Sequence, residues 1–179
     1  PEMWHKPVYF LGGLGHQSVI AFFALSGFLV GGKALKDMLA GTWSWGNYIV
    51  ARLSRLWTVV IPALVVTLAL DVAGRALGGG GGYDGGLYAI LSSGPSHAAP
   101  VDHSITAFFA NVAFLQTIAA PVYGSNGPLW SLANEFWYYV IAPLAAFALL
   151  MRAPFLLRIV SGIAAVAIAW LLPGELVLL

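Results

Sequence analysis

Between Leu129 and Met151 the sequence is apolar and aromatic, and Glu135 is the one charged residue in the run. That length suits a helix crossing the hydrocarbon core of a bilayer, which takes about 20 residues. Ser125-Asn126-Gly127 precedes it as a turn signal, and Pro128 suits the first turn of a helix. A carboxylate inside such a run costs about 2.5–3.5 kcal/mol on insertion scales. Glu135 is therefore either a working group or structural glue that snorkels or pairs with a neighbouring Arg. At helical spacing Ser131, Glu135 and Tyr138 share one face, so this polar stripe is expected to face other helices.

Composition extends the argument to the whole chain. Of 179 residues, 60% are hydrophobic and 8% are charged, and the mean hydropathy is +0.85. A soluble domain of this size cannot hide so much apolar surface, so the expected fold class is all-α, a polytopic transmembrane helix bundle. The absence of Cys excludes disulfides and thiolate metal or redox chemistry. A formal charge of +1 gives no general attraction to nucleic acid.

In chain order, Pro1 to Gly13 reads as loop, with two prolines and a Gly-Gly pair. Four spanning helices are expected at about His16–Gly32, Asn47–Val72, Leu129–Met151 and Phe155–Leu172, with Pro62 kinking the second. Ile105 to Ala120 is interrupted by Asn111 and Gln116 and stopped by Pro121, and reads as a short re-entrant or interfacial helix. Residues 1–179 thus form a single transmembrane domain, with a flexible Gly-rich extracytoplasmic loop at 73–104. Opening on Pro1 and ending in Leu-Val-Leu-Leu, the sequence is expected to be a fragment.

Charge sets the expected orientation. If the short element does not cross, Lys33, Lys36, Arg52, Arg55, Arg152 and Arg158 all fall on one side, which the positive-inside rule makes cytoplasmic. Glu2, Asp71, Asp84, Asp102 and Glu175 fall on the other.

Arg52 and Arg55, three apart on one helix, form a donor array suited to phosphates or carboxylates; the plainer reading is two anchors for lipid headgroups. His16, beside Gln17 at the outer end of the first span, has the titration range of a base, although a lone interfacial His is more often an ordinary hydrogen-bonded residue. His97 and His103 flank Asp102, but that spacing in a Gly-rich loop is a poor metal signal, and no metal site is expected. Ser26-Gly27 lies mid-span, where close helix packing is its plainest role.

Four stretches taken together carry a resemblance: G-H-Q-S-V-I-A-F-F-A-L-S-G-F-L-V from Gly15, R-L-S-R from Arg52, N-V-A-F-L-Q from Asn111, and N-G-P-L-W-S-L-A-N-E-F-W-Y-Y from Asn126. In that order and spacing the chain resembles the membrane acyltransferase-3 family, the bacterial O-acyltransferases that decorate glycans. The resemblance implies an integral protein of the bacterial cytoplasmic membrane. It also implies transfer of an acyl group, often acetyl, from cytoplasmic acyl-CoA to a hydroxyl of an extracytoplasmic glycan or lipid-linked acceptor. The donor is a substrate, and no bound cofactor is expected. The family's R-x-x-R maps to Arg52 and Arg55 on the donor side. Its W-S-L-x-x-E maps to Trp130, Ser131, Leu132 and Glu135, making Glu135 the expected catalytic carboxylate. Trp130, Ser131, Tyr138 and Ser26 are expected to shape the acceptor end. The family's essential His lies on a helix upstream of Pro1, so the fragment is expected to be inactive alone.

The competing readings are a transporter or flippase segment and a non-catalytic membrane scaffold. A transporter would show inverted repetition of hydropathy between two halves, and the sequence shows none.

Overall fold

A computed structural model describes residues 5–78, 83, 101–116, 118–150 and 153–172, with side chains of residues 18, 20–78, 83, 101–116, 118–149 and 153–172. The described residues form five helices: α1 (His5–Leu39), α2 (Trp45–Ala76), α3 (Ile105–Val112), α4 (Leu129–Leu150) and α5 (Phe155–Leu171). No strand occurs among them; of two isolated bridges, Asp102 with Tyr123 ties the segment before α3 to the loop before α4, and Gln116 with Ala120 lies within that loop. The all-α expectation holds. Among the described residues α2 and α4 are the helices long and apolar enough to cross a membrane, and α5 is a shorter apolar helix.

Two boundaries differ from the sequence reading. Helix α1 begins at His5, inside the stretch expected to be loop. Pro7 falls in its first turn, where the missing N–H would have had no partner anyway. Helix α2 continues past Val72 to Ala76, so the loop expected at 73–104 starts later. Most of that loop, His97 included, lies outside the described residues, as do Glu2, Asp84, Arg152 and Glu175.

The short element behaves as its length requires. Helix α3 has eight residues, a rise of about 12 Å, well short of a crossing. Ser104 caps it, its Oγ accepting from the Ala107 N–H at 3.1 Å. Asn111, fully buried, then organises the loop between α3 and α4. Its amide donates to the Ala107 and Pro121 carbonyls at 2.8 and 3.0 Å, and its oxygen accepts from the Tyr123 N–H at 3.2 Å.

The interior mixes apolar with polar side chains, and much of the outer surface is apolar. Buried polar residues line the interior: Ser26, Thr67, Asp71, Asn111, Gln116, Asn134 and Glu135. Large apolar side chains such as Phe28, Leu70, Phe155, Val166 and Trp170 face outward. Only an apolar surrounding favours that arrangement, and the molecule is an integral membrane protein.

Helix α2 carries the inner wall. Leu56, Val60, Leu64, Thr67 and Asp71 are its buried residues, a single stripe at helical spacing. The stripe packs with Val30 of α1, Phe114, and Leu129, Ala133 and Tyr139 of α4. Two contacts fix which ends meet. Trp45 packs on Phe147, ring centroids 6.5 Å apart, so the start of α2 lies beside the far part of α4. Asp71, near the end of α2, binds Ser125, just before α4 begins. Lys33, Arg52 and Arg55 therefore gather at one end of the bundle and Asp71 and Asp102 at the other, with Arg158 near the first end through its bond to the Ala148 carbonyl.

Candidate active site

Glu135 lies in the second turn of α4 and is 3% exposed. Its Oε1 accepts from the Ser26 hydroxyl of α1 at 3.2 Å and from the Tyr139 hydroxyl one turn further along α4. Ser26 Oγ and Tyr139 Oη are themselves 2.7 Å apart, closing a triangle. Among the described residues Glu135 has no ion-pair partner. Two hydroxyl donors hold the carboxylate without neutralising it, as charge-assisted bonds do.

Tyr139 also connects this triangle to the basic end. The Arg52 guanidinium carbon lies 5.7 Å from the centroid of the Tyr139 ring and 5.7 Å from that of Tyr48, within the range of cation–π attraction. A proline makes the junction possible. Pro143 sits inside α4 and has no N–H to bond the carbonyl four residues earlier, that of Tyr139. The Tyr48 hydroxyl of α2 takes that carbonyl instead, at 3.0 Å.

Beyond Arg52 lies a cavity of about 380 Å³ between the end of α1, the turn after it and the start of α2, lined by Lys33, Trp43, Asn47, Tyr48, Arg52 and Arg55 among others. Its apolar wall includes Leu29 and Val30. Val30 is one helical turn from Ser26, so this wall of the cavity and the Glu135 triangle are neighbours along α1.

The expected site residues therefore divide. Arg52, Arg55, Ser26 and Glu135 belong to one continuous arrangement from cavity to carboxylate. Trp130 is buried and packs edge-on to Phe23 at 6.3 Å, and Tyr138 does the same at 5.4 Å; both back the site through that ring. Ser131 gives its hydroxyl to the Pro128 carbonyl of its own turn at 2.8 Å. Glu135 and Tyr138 of the expected stripe both meet α1, through Ser26 and Phe23, and Tyr139 adds a bond to Glu135. The signal was present as an i,i+4 pair of hydrogen-bonding side chains. The side chain of His16 lies outside the described residues.

A second polar cluster occupies the opposite end of α2. Asp71, 1% exposed, accepts from the Ser125 N–H at 2.8 Å, from the Ser125 hydroxyl at 2.5 Å and from His103 Nε2 at 2.7 Å. Asn126 gives its amide to the Thr67 hydroxyl at 2.8 Å. His103 thus pairs with a helix carboxylate rather than with Asp102, whose Oδ1 accepts from the Ser104 N–H at 2.7 Å. Among the described residues no group of His and carboxylates could hold a metal ion. Tyr123 packs edge-on to His103; burial, then the Asp102 and Asp71 carboxylates, push its phenol above the ordinary tyrosine value. Ser125 bonds Asp71 rather than the imidazole, so the cluster lacks the order of a Ser-His-Asp triad. It clamps the loop before α4 onto α2.

Residues 2–178 match a family model described as an acyltransferase domain. The chain belongs to the acyltransferase-3 family. It is an acyltransferase, and the family and the outward apolar surface agree on a membrane setting. No curated protein and no solved structure matches the chain.

Proposed function

We propose that this acyltransferase-3 chain carries the donor cavity and the transfer centre of a membrane O-acyltransferase, with acyl-CoA as donor and a hydroxyl of an extracytoplasmic glycan or lipid-linked molecule as acceptor. The observation that supports it most is the unbroken line from the Arg52 cavity through Tyr139 to Glu135. Arg52, Arg55 and Lys33 face the donor phosphates at the end taken as cytoplasmic, in a bundle of about four crossings. The pantetheine arm follows Leu29 and Val30 toward Ser26. There the acceptor oxygen attacks the thioester carbonyl, the new C–O bond forms and the C–S bond breaks. The hydroxyl proton passes by way of a base to the departing thiolate. Glu135 holds and orients that base, an imidazole in the reading the family resemblance supports. Tyr139 and Ser26 hold Glu135.

The test is transfer from radiolabelled acyl-CoA in membrane vesicles containing the full-length protein. Wild-type vesicles should label a hydroxyl-bearing acceptor, and Glu135→Gln should lose at least about a hundredfold in turnover, the scale of a positioned acid–base group, while inserting normally. Near wild-type turnover in Glu135→Gln would reduce the carboxylate to a packing role. Vectorial movement of a labelled molecule with no transfer would mark a transporter instead.

A further inference from the structure

We infer that Trp43 binds the donor directly: its indole N–H donates to a phosphate oxygen of the nucleotide, in a cradle it shares with Arg52 and Arg55. The inference rests on the reading of the cavity as the donor site and adds a residue to it. Trp43 and Arg52 both line this cavity, and each carries a buried N–H, Trp43 Nε1 and Arg52 Nε, that has no acceptor. Buried donors in folded proteins are almost always satisfied, so two unpaired ones on one cavity mark the place of an absent acceptor.

The indole is held where it is. Trp43 packs edge-on to Trp45 at 5.1 Å and tilts against Tyr48 at 4.9 Å. Tyr48 in turn underlies Arg52. The side chains that carry the two unpaired donors thus both pack on one tyrosine ring.

Charge says what kind of acceptor fits. Lys33, Arg52 and Arg55 face the cavity against one carboxylate, Asp37, and Lys33 already answers Asp37 at 2.8 Å. The remaining positive charge belongs to the two guanidiniums, which favour phosphate oxygens. A phosphate ester meets both demands, anionic charge and acceptor oxygens for N–H groups. Phospholipid headgroups share that chemistry, but the apolar wall of Leu29 and Val30, one turn of α1 from Ser26, suits a ligand that carries a reacting arm.

The experiment measures CoA binding to the purified protein in phosphatidylcholine nanodiscs, for wild type and Trp43→Phe, which keeps an aromatic ring and removes only the donor. CoA affinity should fall about tenfold in Trp43→Phe, the size of one hydrogen bond to a charged group, with the ligand-free melting temperature unchanged. In the wild type, the indole N–H resonance missing from Trp43→Phe should move downfield when CoA is added. Equal CoA affinity in both proteins, or an indole resonance that does not move, overturns the role of Trp43 while leaving the donor site standing. No CoA binding by wild type sinks the donor reading itself. Binding of phosphatidylglycerol, in place of CoA, with the same dependence on Trp43 would overturn the nucleotide as ligand and identify a lipid site.

Discussion

Arg52 stacks against the ring of Tyr139, guanidinium carbon to centroid 5.7 Å, and the hydroxyl at the other side of that ring holds Glu135. One side chain therefore joins the cationic cavity to the buried carboxylate. A donor anion that draws Arg52 toward the cavity would be felt at Glu135 through a single tyrosine.

Removing only the hydroxyl should separate that role from packing. Tyr139→Phe keeps the ring beneath Arg52 and deletes one of two donors to Glu135. A bond to a charged group is worth about 1.5–3 kcal/mol, so turnover should fall about ten- to a hundredfold. The donor KM should stay within about twofold, because the cavity is untouched. Steady-state kinetics with labelled acyl-CoA check it.

The paired arginines should act on binding instead. Arg52→Ala with Arg55→Ala is expected to raise the donor KM by at least about tenfold, with the acceptor KM changing far less. Arg52→Lys should recover only part of the loss, since an ammonium matches neither two tyrosine faces nor a bidentate phosphate. An unchanged donor KM in the double variant would remove these residues from the donor site.

At the other end of α2, Gly124 has φ +61°, and a Cβ there would lie 2.5 Å from Asp71 Oδ2 and 2.7 Å from the Thr67 methyl. Left-handed backbone costs a non-Gly residue about 1–2 kcal/mol before any clash. Gly124→Ala should therefore lower the melting temperature measurably and loosen the loop that Asp71 anchors through Ser125. Thermal unfolding in lipid nanodiscs reads this, with Gly41→Ala, a positive-φ site with open space around it, as the control for strain alone.

The apolar runs make α2, α4 and α5 legible from the sequence alone. Ser26 as a site-shaping residue is also legible from the resemblance, but its bond to Glu135 spans 109 positions and no local spacing encodes it. Tyr139 escapes a stripe drawn through Tyr138, although it stands four residues after Glu135 and four before Pro143. The start of α1 is hidden by Pro7 and the Gly12-Gly13 pair, loop signals that the surroundings of a membrane helix override. The Asp71–His103 contact, 32 residues apart across a Gly-rich stretch, leaves no periodic trace.

The central claim is that the cationic cavity and the Asp71 loop cluster open on opposite faces of one membrane, with Glu135 between them. The sequence has no Cys, so single probes are clean: Ala40→Cys beside the cavity and Ala119→Cys in the loop before α4, both exposed positions. In sealed vesicles of known orientation, a membrane-impermeant maleimide should label Ala40→Cys only from the cytoplasmic face and Ala119→Cys only from the other. Labelling of both from the same face would contradict the account.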